Sequence, residues 1–380
     1  MKRISWIPAV ISVALLAGCM PNMDKDTEVI KETEKNEEAT TIIPSVQISD
    51  QYYRTLLPYE QSASRGLIVS KIQSKYDVKE VENGLMRLSQ RTFSPDNYFF
   101  QEGQKLDSET LSSWLARSSQ TDDGLNPPRP KDSKMTAELA KTAPVYLAHI
   151  VEQNYLVKSE ENKVRLGGIS IGLAMNSIYY YQKEDFGATY EQEIPHAAIV
   201  ENGKKIANEI VKRMRTMEGL ENIPITVGLY KQESRNSIVP GTYFAYGEAS
   251  EGKASIANWS DIKEEYVLFP QPIAEEKYRE VGQSFNNFKQ DVEEYFSNFT
   301  SIVGTGFYQE DRIQKMTIDI PIQFYGAAEL VGFTQYMTGL VMEHFPATMH
   351  VEVSVTSING PEALVIKKAD DKEPFVHIYD

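Results

Sequence analysis

Gly168-Ile169-Ser170-Ile171-Gly172 has the G-x-S-x-G spacing that, on a strained strand–turn–helix, presents a serine hydroxyl to a histidine and to backbone donors. Here the apolar alternation of Ile169, Ile171, Leu173 and Met175 runs straight through the serine towards Tyr181, so no helix is predicted to start after it. Gly167, Gly168 and Gly172 then read as thin places in a strand, where another segment packs closely. His196, His344, His350 and His377 all lie downstream of Ser170. A nucleophilic Ser170 is therefore the alternative reading, not the expected one. Ser260-Asp261-Ile262-Lys263 has S-x-x-K spacing, but no partner K-T-G accompanies it and a polar turn accounts for it better. The histidines show neither H-x-x-x-H nor H-E-x-x-H spacing, so no metal and no cofactor is expected. A carboxylate pair suited to glycoside hydrolysis would meet only in the fold. Tyr179-Tyr180-Tyr181 is a candidate binding surface. In a strand Tyr179 and Tyr181 share one face, with Asn176 nearby, and phenols so placed can stack on sugar or peptide. Ordinary sheet packing is the competing explanation.

The clearest chemistry lies at the start of the chain. Lys2 and Arg3 precede an apolar run from Ile4 to Ala17, interrupted only by Ser5, Pro8 and Ser12. Such a run is too short to span a bilayer stably and describes a cleaved export signal. It closes as Leu16-Ala17-Gly18-Cys19, and Cys19 is the single cysteine. This ending resembles a bacterial lipobox, in which the thiol receives a diacylglyceryl thioether and cleavage follows Gly18. A thiolate is the strong nucleophile that the acylation requires. Two acyl chains on one residue hold a protein at a membrane where one chain would be marginal. The expected location is the extracytoplasmic face of the cell membrane, reached through prolipoprotein processing enzymes.

The composition agrees with an anchored globular body. Of 380 residues, 41% are hydrophobic, and Tyr and Phe are abundant, ample for a real core. The net charge is −15, and loss of Lys2 and Arg3 with the signal makes the mature chain more acidic still. That argues against a nucleic-acid partner, which needs a basic face.

The elements that must position any site follow from periodicity. Residues 1–18 are the signal. Residues 19–48, rich in Asp, Glu and Lys, form an acidic disordered tether with a reach on the order of 30 Å. Asp24-Lys25-Asp26-Thr27-Glu28 opens like a calcium loop but has Val29 where the glycine belongs and Lys35 where the last glutamate belongs. Residues 49–120 are predicted as an N-terminal α+β domain: a short buried strand at Gly66–Ser70, a helix through Val78, Val81, Leu85 and Leu88, and a second helix N-capped by Asp107. Residues 121–134 hold Pro127, Pro128 and Pro130 and are read as a linker. Residues 135–380 make a C-terminal α+β domain. It should begin with a helix or helix pair over 137–157, interrupted at Pro144, then a long strand or bent hairpin over 164–181. A helix through Ile199, Ile206, Ile210 and Met214 follows, then strands at 223–230, 242–247 and 266–269. A helix carries Tyr278, Val281, Phe285, Phe288, Val292 and Phe296. After it come a strand at 313–324, a helix at 329–345, and closing strands at 349–356, 363–367 and 375–379. Helices between runs of strands predict an α+β fold of mostly antiparallel sheet with packed helices.

Leu16-Ala17-Gly18-Cys19, Tyr53-Arg54-Thr55-Leu56-Leu57-Pro58, Ser64-Arg65-Gly66-Leu67, Phe93-Ser94-Pro95-Asp96, Phe100-Gln101-Glu102-Gly103 and the stretch Leu166 to Ser177 carry a family resemblance. Through them the chain resembles the CamS family, the lipoproteins called sex pheromone precursors in low-GC Gram-positive bacteria. The resemblance implies that the end of the cleaved signal can be trimmed to a short apolar mating peptide. The matching segment is Ser12, Val13, Ala14, Leu15, Leu16, Ala17 and Gly18. It implies no settled role for the mature body. The expectation is a non-enzymatic body that binds an envelope, peptide or protein partner. The alternatives are an envelope hydrolase using Ser170 or a carboxylate pair, and a solute-binding lipoprotein with two similar α/β lobes.

Overall fold

The computed structural model describes residues 26–32, 38–49, 51–62, 64–130, 134–159, 161–295, 301–323 and 326–379. The first part of the chain holds β1 (Thr27–Glu32), β2 (Glu38–Ile43), α1 (Arg65–Lys71), α2 (Lys75–Ser89), β3 (Phe99–Glu102) and α3 (Ser108–Leu115). The middle holds α4 (Ala137–Thr142), β4 (Leu147–Lys158), β5 (Lys163–Met175), β6 (Ile178–Gln182), β7 (Thr189–Glu193), α5 (His196–Met214), β8 (Ile225–Lys231), β9 (Thr242–Ala249) and β10 (Trp259–Asp261). The last part holds β11 (Glu264–Phe269), α6 (Pro272–Lys277), α7 (Arg279–Tyr295), β12 (Val303–Gln309), β13 (Arg312–Pro321), α8 (Ala327–His344), β14 (Val351–Ser357), β15 (Gly360–Lys367) and β16 (Phe375–Ile378). The architecture is α+β with mostly antiparallel sheet, as the sequence pattern predicts.

The first sheet is built around β5. One edge of β5 pairs antiparallel with β4, which carries β3; the other pairs parallel with β8, followed by β9 and β10. The β5–β8 crossover contains the separate β6–β7 hairpin and α5. Because side chains alternate across a strand, β5 divides cleanly. Ile169, Ile171, Leu173 and Met175 join a core with Ile199, Ile206 and Ile210 of α5 and with Leu111 and Trp114 of α3. The other face, with Gly168, Ser170, Gly172 and Ala174, lies under α2, whose Val81, Leu85 and Leu88 pack there with Tyr230 and Tyr243. The second sheet runs β11-β12-β13-β14-β15-β16, with α8 as the crossover between the parallel strands β13 and β14. Phe285, Phe288 and Val292 of α7 and Phe333, Met337 and Val341 of α8 fill its core. The two sheets differ in strand number, order and covering, unlike the similar lobes a solute-binding lipoprotein would show. They are joined by Arg87 of α2, which ion-pairs with Glu80 at 2.7 Å and with Glu264 of β11 at 2.9 Å.

Several elements differ from the sequence expectation. Gly66–Ser70 lies in the helix α1, not in a strand: the run is too short for its β-branched content to decide, and Ile68 and Ile72 meet the α2 core one helical turn apart. Residues 137–157 are not a helix pair. α4 stops at Thr142 and β4 is a strand buried along most of its length, whose unbroken apolar and polar burial hides any period. The segment 164–181 is β5 plus β6, and β6 pairs with β7 rather than folding back on β5. Within 19–48, β1 and β2 form a hairpin whose Val29 and Ile43 are buried against Leu156 and Val164. Burial of Val29 and Ile43, with Lys31 paired to Glu60 on the same face, outweighs the acidic composition here. The stretch 121–134 contains Asn126, buried and bonded through its amide to the backbone of Leu115 and Leu147. The first sheet pairs β3 and β4 from either side of that stretch. Asp107 caps α3 as expected, accepting from the backbone of Thr110.

The small face of β5 is a tight contact between the first sheet and the segment that follows α2. A Cβ at Gly168 would stand 2.2 Å from Phe93, whereas one at Gly66 on α1 would meet nothing within 4 Å. Gly168→Ala should therefore cost about 1–3 kcal/mol in urea unfolding, and Gly66→Ala should be neutral or stabilising by up to about 1 kcal/mol. Equal effects at the two positions would contradict this packing.

Candidate functional site

Ser170 sits at the centre of β5 with no exposure. Its Oγ is 2.6 Å from Ser89 Oγ of α2 and 2.6 Å from Thr226 Oγ1 of β8. The strand continues to Met175, no helix follows the serine, and its hydroxyl partners are hydroxyls rather than an imidazole. A nucleophile elbow needs a turn, a base and an approach for substrate; Ser170 has none of these. The G-x-S-x-G spacing is a packing pattern, and Ser170 is not placed to act as a hydrolase nucleophile. Ser170→Ala should leave ester hydrolysis by the protein unchanged and lower stability by about 1–2 kcal/mol, the scale of a buried hydrogen bond. Loss of a measurable esterase activity in that variant would reverse this assignment.

The tyrosine face is largely occupied from within. Tyr179 and Tyr181 do share a face, with ring centroids 5.9 Å apart, and Tyr181 stacks on Tyr190 at 5.6 Å. Arg117 donates to the Tyr179 hydroxyl at 3.1 Å, and Met135 and Ala140 pack against Tyr181. Asn176 is buried at the end of β5, where its amide donates to the carbonyl of Val145 and accepts from Gln232. Gln232 in turn accepts from the backbone of Gln73. Asn176 thus ties the ends of β5 and β8 to the α1–α2 turn, one residue before a cleft that Ser177 lines. Cys19, Gly18 and the segment Ser12–Gly18 lie outside the described residues.

That cleft, about 440 Å³, opens at the carboxyl ends of the parallel strands β5 and β8, beside the start of α5. In α/β crossovers this is where ligands bind, because the strands end and the connecting loops diverge. Ser177, Glu193, His196, Lys231, Glu233 and Ser234 line it with carboxylates, a cation and hydroxyls. Burial raises the Glu233 carboxyl above its ordinary range, against the opposing pull of Lys231. The mixture suits a polar, zwitterionic or multiply hydrogen-bonding ligand. Among the described residues, no group of three His, Cys, Asp or Glu is arranged to hold a metal ion.

A second cleft, about 140 Å³, lies between the β3–β4 pair and the helices α1 and α2. Glu82 of α2, Glu102 of β3 and His149 of β4 line it. Glu152, also in the lining, accepts from the backbone N–H groups of Gln104, Lys105 and Leu106 and serves as a structural acceptor. Glu82 stands exposed at the rim of the cleft; partial desolvation, then the like charge of Glu102, raises its carboxyl. Burial, aided by Lys71, pushes His149 down to about 4. No sequence signal marked these residues, because they converge from three elements and have no shared spacing. The pH consequence has a definite sign. The unfolded chain protonates His149 near pH 6.5, the folded chain only near 4, so this residue makes stability fall as the pH drops between those values, by at most about 3 kcal/mol. His149→Gln should flatten that part of the stability profile. A slope between pH 6.5 and 4 identical to that of the unsubstituted protein would show that the imidazole is not held neutral.

A family described as CamS sex pheromone cAM373 precursor matches residues 59–373. The crystal structure of a sex pheromone precursor from Lactobacillus salivarius subsp. salivarius UCC118 superposes with a TM-score of 0.81 at 29% identity, covering 88% of this chain and 98% of that one. The C-terminal domain of the sex pheromone staph-cAM373 precursor from Staphylococcus aureus superposes with a TM-score of 0.71 at 31% identity, covering 82% and 98%. Among curated proteins there is no significant match.

Proposed function

Because the chain belongs to the CamS family of sex pheromone precursors, we propose that it is a lipoprotein precursor with two products. One is the mature body, anchored at the extracytoplasmic face of the membrane by a diacylglyceryl group on Cys19. The other is the apolar signal-peptide end, Ser12 to Gly18, released after cleavage between Gly18 and Cys19. The observation that carries this reading is the Leu16-Ala17-Gly18-Cys19 ending, with the single thiol of the chain at the position that must be acylated. The body is a binding protein rather than a hydrolase. In support, Ser170 is sealed between a helix and a strand. The open cleft at the carboxyl ends of β5 and β8 carries polar groups of both charges, as recognition of an envelope glycan, peptide or protein requires. No helix among the described residues is long and apolar enough to cross a membrane. On this reading the two acyl chains alone hold the body in place.

Mass spectrometry of the native protein should find residue 19 as the amino terminus, bearing a diacylglyceryl thioether. Cys19→Ala should abolish retention in the membrane fraction and recovery in the detergent phase. Unchanged fractionation of that variant would overturn the anchoring.

A further inference from the structure

The smaller cleft joins three features that point to one ligand chemistry. The first is apolar wall: Ile68 of α1, Met86 of α2, and Phe100 and Val151 of the sheet line it. The second is a pair of carboxylates. Glu82 and Glu102 come from different elements and repel each other. Glu102 accepts from the backbone of Ser62 at 2.7 Å, and its nearest cation, Arg65, stands at 3.4 Å with a side chain 51% exposed. An ion pair that long and that wet is weak. The third is His149, which is 3% exposed and whose Nδ1 has no hydrogen-bond partner. A buried polar atom without a partner is uncommon, because it forfeits its hydration for nothing.

Each feature restricts the ligand. The carboxylates exclude an anion. The apolar walls disfavour a bare inorganic cation, and the described residues hold no set of three metal-ligating groups. What remains is an organic cation with an aliphatic stem and several N–H donors. At about 140 Å³ the cleft is close to the size of cavities that admit benzene, so a butylammonium arm fits and much larger groups do not. We propose that this cleft binds a primary alkylammonium group, of the kind that a lysine side chain presents. The ammonium sits between Glu82 and Glu102, the methylenes lie along Ile68, Met86 and Phe100, and His149 borders the site as a neutral imidazole. The net charge of −15 favours the approach of a basic partner. This site is distinct from the larger cleft and stands whether or not that cleft binds a ligand.

The test uses the full mature chain carrying Cys19→Ala, titrated with Nα-acetyl-lysine N-methylamide, with its Nε-acetylated analogue, and with cadaverine. Binding is followed by calorimetry and by the His149 imidazole NMR signals. The free ammonium should bind at least tenfold more tightly than the acetylated analogue and should shift the His149 signals. Glu82→Gln and Glu102→Gln should each weaken it by about fivefold or more while the thermal midpoint shows the chain folded. Binding by the lysine compound identifies a polypeptide as the source, and binding by cadaverine alone identifies a free amine; either supports the site. Equal binding of the acetylated and free compounds, or no binding of any amine, overturns it. Since that comparison is made on unsubstituted cleft residues, a variant that fails to fold does not rescue the proposal.

Discussion

Gly168, Ser170, Gly172 and Ala174 leave one face of β5 almost bare, and α2 with Phe93 and Tyr243 lies directly upon it. A Cβ at Gly172 would meet the Tyr243 hydroxyl at 2.6 Å, and one at Gly228 on the neighbouring strand would meet its ring at 2.7 Å. The Tyr243 hydroxyl in turn donates to the carbonyl of Val81 in α2. Close packing of this kind leaves the helix a single seat, since interiors have the density of organic crystals and little room to slide. Everything that α2 positions follows from that seat: Ser89 over Ser170, Glu82 in the smaller cleft, and Arg87 at the boundary with the second sheet.

Buried charge is handled by a consistent device, in which fixed dipoles or an opposite ion meet each group. Asp77 at the start of α2 accepts from the Tyr230 hydroxyl at 2.6 Å and from the backbone of Gly241 at 2.7 Å. Glu152 accepts from three successive backbone amides. Lys367, 1% exposed, donates to the carbonyls of Pro346, Ala347 and Met349. Arg87 lies between Glu80 and Glu264, with its guanidinium 4.5 Å from the ring centre of Phe307. Such pairs add little net stability over apolar packing, yet they penalise any arrangement that separates the partners. At Arg87 the penalty falls on moving one sheet relative to the other. Among the groups that line the smaller cleft, His149 is the exception: it is buried and its Nδ1 meets no partner.

These features describe a body whose α2 helix and two sheets are locked to one another by packing and paired charge. Ser170, the serine of the G-x-S-x-G spacing, is used for packing, and two clefts beside the first sheet are lined by polar and charged groups.

Much of the fold is legible in the residues. The stripes Val78–Leu88, Ile199–Met214 and Phe285–Val292 declare α2, α5 and α7, because a helix with one buried face repeats every 3.6 residues whatever it packs against. The Leu16–Cys19 ending that resembles a lipobox is equally local, since such a motif is short and contiguous. Where burial is complete the period vanishes, so β4 was hidden, and α1 was too short for its Leu67-Ile68-Val69 run to separate helix from strand. The clefts were beyond reach for a different reason. Glu82, His149 and Glu102 are separated by tens of residues and carry no common spacing, and His196 and Glu233 line one cleft only because a parallel crossover returns the chain to the same sheet edge. By itself the sequence determined the strongly periodic helices, the α+β class and the acidic character. Only the tertiary structure decided that Ser170 is packing and that the open polar groups lie elsewhere, because both facts depend on which distant surfaces the backbone brings together.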